Sequence, residues 1–169
     1  AEGLLVAKVD LQDIYDEFSN GFVDPDAIRS FLTYAYNNWQ RHPKYVLLVG
    51  DGHWAFRNEV TTSLHNLVPP YLAYVDPWIG EVPADSRFVS VDGEDDYLPE
   101  MAIGRIPANS AGDVTAVVNK TLTYEDTAAT PDGAWNQRAV YVADDYADPA
   151  GNFHDLSNNV RLNWLPSTY

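Results

Sequence analysis

Apolar and polar positions along the chain form blocks that predict helices alternating with buried strands. A helix is predicted over residues 24–39, where apolar side chains recur at helical spacing: Ile28, Phe31, Leu32, Ala35 and Trp39. Asp24 can cap this helix, and Pro25 suits its first turn. The chain therefore has one well-marked amphipathic helix in its first quarter.

Two further helices are predicted later in the chain. The helix over 109–126 carries an apolar stripe of Val114, Val117, Val118 and Leu122. Ser110 and Asp113 resemble a capping box at its start, with an acidic group near the positive end of the helix. The third predicted helix covers residues 152–165.

Short apolar runs predict the strands: Leu4–Val9, Tyr45–Val49, Arg87–Val91 and residues 138–145, with another apolar run at 101–107. Runs that are apolar on both faces suit a parallel sheet that is covered on both sides. Strands separated by helices predict an α/β fold with a largely parallel sheet flanked by helices. Acids follow three of these strands, at Asp10, Asp51 and Asp144, and the carboxyl ends of parallel strands are where sites collect.

Composition excludes several classes of function. The chain has 169 residues, enough for one domain with a sizeable core, and a net charge of −15. That charge argues against nucleic acid or an anionic membrane surface as a partner. The absence of cysteine excludes disulfides and a cysteine nucleophile within this chain. No apolar run reaches the length of a membrane span.

Motifs for nucleotide or hydrolase chemistry are weak. The sequence Gly50-Asp51-Gly52 is not a dinucleotide fingerprint, and no phosphate-binding loop or G-x-S-x-G elbow occurs. Acids at strand ends also suit a phosphate-accepting receiver domain, but no lysine follows the late strand. Of the histidines, His53 alone follows a strand end, and a hydrogen-bonded loop histidine is the simpler interpretation there.

The residues from Val91 to Glu100 give the strongest local signal, because they hold five carboxylates: Asp92, Glu94, Asp95, Asp96 and Glu100. Calcium prefers six to eight oxygens from carboxylates and backbone carbonyls in a flexible loop. The spacing is not that of an EF-hand. This acidic loop therefore either exposes its charges to water or binds a cation.

Four stretches in this order resemble the gingipain family of cysteine peptidases: residues 9–36, 44–52, 87–125 and 138–149. The block of acidic loop, "LPE", "IGRIP" and a helix ending in "TYE" is the most specific part. The resemblance implies a Rossmann-like, caspase-like fold with two α/β subdomains. Residues 1–135 would form the first, and residues 136–169 would begin the second.

The resemblance also implies site residues. The family's catalytic histidine and cysteine are expected beyond Tyr169, so His53 is not the catalytic histidine. A structural calcium ion is implied, with Asp51, Asp96, the Leu98 carbonyl and Glu100 as ligands. Asp95 is an alternative to Asp96, and Val91 or Gly93 can supply a further carbonyl.

The function expected from this resemblance is that of a non-catalytic N-terminal part of a secreted or cell-surface, bacterial gingipain-like cysteine endopeptidase. The rest of that peptidase domain would be its partner, and proteins would be the substrates of the parent enzyme. One alternative is a catalytically inactive scaffold or sorting domain of a bacterial secretion system. Another is a stand-alone binding module that uses the aromatic residues Tyr71, Tyr74 and Trp78.

Overall fold

The computed structural model describes residues 3–55, 66–93, 98–128, 139–144, 146–147, 149 and 151–165. Its elements follow in the order α1 (Leu11–Phe18), α2 (Pro25–Asn38), β1 (Tyr45–Val49), β2 (Leu72–Asp76), β3 (Gly80–Pro83), a 3₁₀ helix (Asp85–Phe88), β4 (Ala102–Ile106), α3 (Ala111–Ala128) and α4 (Phe153–Asn163). The chain divides into two compact units, Ala1–Val118 and Asn119–Tyr169.

Helices α1 and α2 begin at aspartate caps. Asp10 accepts a hydrogen bond from the backbone N–H of Gln12, and Asp24 accepts one from that of Asp26, both at 2.9 Å. Each carboxylate satisfies a donor that the first helical turn leaves free and also lies near the positive end of the helix dipole. The predicted cap and Pro25 start of α2 are confirmed, whereas α1 was not predicted.

The predicted apolar stripe of α2 faces the core. Ile28, Leu32 and Ala35 are buried, and the Phe31 ring packs against the rings of Phe18 and Trp39 at centroid distances of 6.0 and 5.9 Å. Helical spacing places residues three and four apart on one side, so this stripe closes over α1 and the sheet.

The central pair of strands is parallel, as the sequence predicts. Strand β1 pairs with β4 in the register Tyr45↔Ala102 to Val49↔Ile106. The pairing continues beyond β1, because the Gly50 and Asp51 N–H groups donate to the Ile106 and Ala108 carbonyls at 3.0 Å. The α/β class with a parallel sheet is confirmed.

The core of the first unit lies between one face of β1–β4 and helices α1 and α2. Its sheet side includes Leu48 and Met101, and its helix side includes Ile14, Tyr15 and Ile28. Phe88, Val89 and Ser90 are fully buried beside them. This core fixes the end of the 3₁₀ helix and the start of the acidic loop.

The proline- and aromatic-rich segment contains an antiparallel hairpin that the sequence pattern did not reveal. Strands β2 and β3 pair from Leu72↔Pro83 to Asp76↔Gly80, with an irregularity between Tyr74 and Asp76. The Asp76 carboxylate accepts from the Trp78 and Ile79 N–H groups at 2.8 Å and thereby stabilises the turn.

Three predicted strands were wrong as far as the structure describes them. Residues 4–9 are exposed and form no strand, and neither of the described sheets includes them. The 87–91 run enters the core through the 3₁₀ helix and an irregular segment, so burial rather than pairing explains its apolar character. Residues 139–144 are also irregular, while 138 and 145 lie outside the described residues.

The predicted second and third helices are confirmed. In α3, the Asp113 N–H donates to Ser110 Oγ at 3.2 Å and the Ser110 hydroxyl donates to Asp113 Oδ2 at 2.9 Å. Helix α4 begins at Asn152, whose side chain accepts from the Asp155 N–H. The predicted subdomain boundary between residues 135 and 136 stays a prediction, because residues 129–138 are not described.

Candidate functional site

The two glycines around Asp51 allow a second segment to pass very close to the end of β1. A Cβ atom on Gly52 would lie 2.2 Å from the Val68 carbonyl oxygen, and one on Gly50 would lie 2.7 Å from Val68 Cγ2. Gly50 also has a φ of +147°, where side chains are strained. These glycines therefore allow the backbone to pack closely at the end of β1.

Asp51 holds three segments together at this strand end. Its Oδ1 accepts from the Gly52 N–H at 2.9 Å, and its Oδ2 accepts from Asn109 Nδ2 at 3.1 Å. Its carbonyl accepts from the N–H groups of Leu67 and Val68 at 2.9 and 3.0 Å. Both carboxylate oxygens thus already have protein donors, which is what a bracing carboxylate requires.

Arg105 supplies the strongest polar contacts of the same region. Its Nε and Nη2 donate to Asp85 Oδ2 and Oδ1 at 2.6 and 2.8 Å, a two-pronged ion pair. Its Nη1 donates to the Gly50 and Val68 carbonyls at 2.9 and 2.7 Å. Arg105 was not predicted as a site residue, although its position inside an apolar strand is an available signal.

His53 follows the same strand end and is a loop histidine with structural contacts. Its Nδ1 accepts from the Ala55 N–H at 3.2 Å, so the proton of the neutral ring is placed on Nε2. Asn66 accepts from its N–H and donates to its carbonyl. The Nε2 atom is buried and has no hydrogen bond within the described part of the chain.

Glu100 closes the base of the acidic loop. Its N–H donates to the Val89 carbonyl at 3.1 Å, and its Oε2 accepts from the Val91 N–H at 2.7 Å. This reciprocal pair joins the two ends of the loop, because Glu100 directly precedes Met101 and strand β4. A carboxylate of the loop itself, that of Glu100, therefore helps to fix the base of the loop.

The structure separates two of the predicted calcium ligands, Asp51 and Glu100. Asp51 follows the carboxyl end of β1, whereas Glu100 precedes the amino end of β4. Because the strands are parallel and Tyr45 pairs with Ala102, about 20 Å of extended chain separates Asp51 from the end where Glu100 lies. Calcium ligands lie only about 2.3–2.6 Å from the ion, so these two carboxylates cannot share one.

The remaining predicted ligands have different outcomes. Asp96 and its alternative Asp95 lie outside the described residues, while Leu98 is described and exposed. Among the residues that the structure describes, no group of three or more His, Asp or Glu side chains is placed to hold a metal ion. A calcium ion bound by this chain stays a prediction, now without Asp51 and Glu100 as joint ligands.

Among the residues that the structure describes, one ionisable group, Tyr15, has a clearly shifted pKa. Burial, with a smaller contribution from the negative charge of Asp24, raises the pKa of Tyr15 to about 12. The Tyr15 hydroxyl is buried and makes no hydrogen bond to any described residue. Tyr15 belongs to the core between α1 and α2, so its shifted pKa affects the stability of the fold and does not involve the residues at the strand ends.

The parallel strands and flanking helices define an α/β protein, in which Asp51, Gly50 and Gly52 hold the backbone at the end of β1. No described helix is both long and apolar enough to cross a membrane.

The chain belongs to peptidase family C25, the gingipain family, whose sequence profile matches residues 1–167. The resemblance stated from the sequence is therefore confirmed. No curated protein matches the chain at a significant level.

A solved structure supports the same assignment. The chain is similar to dimeric latent PorU from Porphyromonas gingivalis, with a TM-score of 0.56 and 25% sequence identity over 76% of this chain. The chain spans 13% of that PorU chain. This likeness agrees with the predicted caspase-like α/β class.

Proposed function

We propose that this chain is a non-catalytic scaffold region of a gingipain-like cysteine endopeptidase that is secreted or displayed at the cell surface. The observation that carries the proposal is the match to peptidase family C25 over residues 1–167, in a chain without cysteine. A cysteine peptidase needs a thiolate activated by a neighbouring base. In this proposal another part of the protein supplies both groups, and this chain supplies the sheet that supports them.

The strand surface of the first unit supports this role. Tyr45, Leu47 and Val49 lie on the face of β1 opposite the core and are 68%, 61% and 47% exposed. Parallel sheets are normally covered on both faces, and contiguous apolar surface usually marks a contact with other protein. The rest of the peptidase domain is the proposed partner for this face, and protein substrates belong to the whole enzyme.

The main rival is a family C25 domain that has lost its catalytic pair and acts as a scaffold or sorting component of a secretion system. The fold is compatible with both functions, since a scaffold and a peptidase share the same sheet. The aromatic binding module has less support. Tyr71 packs edge-on against buried Phe88 at 5.6 Å, while Trp78 lies in the hairpin turn and is 94% exposed.

The first test compares the chain with the longer protein that contains it. Residues 1–169, incubated with a fluorogenic peptide library, reductant and calcium, should show no turnover above buffer. The longer protein, isolated through a tag, should react with a peptide probe that carries a thiol-directed electrophile. Prior treatment with iodoacetamide should block this reaction.

Two results would contradict the proposal. Turnover that follows residues 1–169 through further purification would show that this chain carries its own nucleophile. A correctly folded longer protein that neither cleaves peptides nor reacts with the probe would favour the inactive scaffold.

A further inference from the structure

The base of the acidic loop, defined here as Ser90–Gly93 together with Glu100, gathers negative charge beside a packed core. Asp92 and Glu100 carry two of the loop's carboxylates. Ser90 is fully buried. Glu100 Oε2 accepts from the N–H of Val91, the residue before Asp92, so the two negative charges lie near each other and repel. An ordered base therefore requires a compensating positive charge or hydrogen-bond donors.

Arg29 reaches this base from helix α2. Its Nη2 donates to the Gly93 carbonyl at 2.6 Å and to the Ser90 carbonyl at 3.0 Å, and its Nε donates to the same Ser90 carbonyl at 3.3 Å. Helix α2 is fixed against the core by Ile28, the residue next to Arg29. The guanidinium is thus held in place by an element that does not belong to the loop.

These contacts resemble those that a bound cation would make. Calcium in proteins binds backbone carbonyls as well as carboxylates, and here two carbonyls of the loop base already receive N–H donors from a permanently charged group. The Glu100 Oε2 atom is likewise engaged by the Val91 N–H. The Asp51 carboxylate lies at the other end of the strands and cannot add to a metal site here.

We propose that Arg29 is the built-in counter-cation of the acidic loop, so that the base of the loop folds without a metal ion. The planar fork of the guanidinium binds the Ser90 and Gly93 carbonyls at once, and its charge offsets that of Asp92, which lies between these two residues in the chain. Asp51 and Glu100 lie at opposite ends of the paired strands, so Asp51 does not contribute charge here, and Arg29 holds this base instead.

The test uses charge coupling between Arg29 and Asp92, which is described and exposed. With Arg29 present, Asp92→Asn should leave the melting temperature unchanged or lower it slightly, because one attraction is lost. In the Arg29→Met background the same Asp92→Asn change should raise it, because one repulsion is relieved. Glu81→Gln on strand β3 removes an exposed carboxylate outside the loop, and it should change the melting temperature equally in both backgrounds.

Salt and calcium give independent readouts. Arg29→Met should melt roughly 4–8 °C below wild type at about 20 mM NaCl, and the difference should shrink at about 500 mM NaCl, where charges are screened. Arg29→Lys keeps the charge but loses the planar fork, so its melting temperature should lie between those of wild type and Arg29→Met. Wild-type melting should be equal in calcium and in chelator, whereas Arg29→Met should gain stability from calcium.

Two outcomes would overturn the proposal. A wild-type melting temperature more than about 5 °C higher in calcium than in chelator would show that a metal ion holds the loop. An Arg29→Met loss that is independent of salt and of Asp92→Asn would show that Arg29 acts by packing alone. If Arg29→Met does not fold, the same comparisons on Arg29→Lys decide the question.

Discussion

Removing Arg105 should destabilise the first unit more than any exposed arginine does. The Arg105 and Asp85 side chains are only 15% and 27% exposed, and their ion pair is two-pronged. Arg105→Met keeps much of the side-chain length but leaves the Asp85 carboxylate without its partner. It also removes the donor to the Gly50 and Val68 carbonyls.

The expected magnitude follows from this burial. Breaking a fully buried ion pair costs about 3–5 kcal/mol, and partial exposure to water reduces this to about 2–3 kcal/mol. The melting temperature of a domain of this size falls by roughly 2–4 °C per kcal/mol, so we expect a loss of roughly 4–12 °C. Arg41→Met, at an exposed arginine, is the matched control and should change little.

A double-mutant cycle makes this prediction specific. Chemical denaturation of wild type, Arg105→Met, Asp85→Asn and the double variant gives the coupling energy between the two side chains. Coupling above about 1 kcal/mol is expected, with the double variant hardly less stable than Arg105→Met. Additive losses, or an Arg105→Met variant within about 0.5 kcal/mol of wild type, would refute the reasoning.

Two further changes test the packing at the strand end and in the core. Gly52→Ala places a Cβ atom against the Val68 carbonyl oxygen and should lower the free energy of unfolding by about 1–3 kcal/mol in a denaturant titration. As a control, Gly93→Ala meets no heavy atom within 4 Å and should be nearly neutral. Equal losses in the two variants would contradict the packing role of Gly52. Tyr15 contributes stability that is fully present below its unfolded pKa of 10 and is lost as the pH rises through about 12, because burial disfavours the phenolate. Melting curves should therefore show less alkaline destabilisation between pH 10 and 12 in Tyr15→Phe than in wild type, and an identical pH dependence would show that Tyr15 does not titrate with unfolding.

Local signals in the sequence determined most of the helical structure. The stripe of α2 and the caps at Asp24 and Ser110 lie within a few residues of the groups they act on. Strand β1 was marked by a continuous apolar run, and its parallel pairing with β4 was expected from runs that are apolar on both faces. These features depend on short-range periodicity and capping, which the sequence displays directly. The family resemblance supplied the fold class in addition.

Tertiary structure alone decided which polar groups meet. Arg105 contacts Asp85 and Gly50, which are 20 and 55 positions away along the chain, and Arg29 contacts Gly93 at a separation of 64. The register of β1 and β4 places Asp51 and Glu100 at opposite ends, although both acids flank apolar strands in the sequence. Apolar composition likewise predicted a strand at 4–9 that has no described pairing partner. A strand exists only through its neighbour and a charge acts on whatever lies near it in space, so both depend on long-range packing that local patterns do not encode.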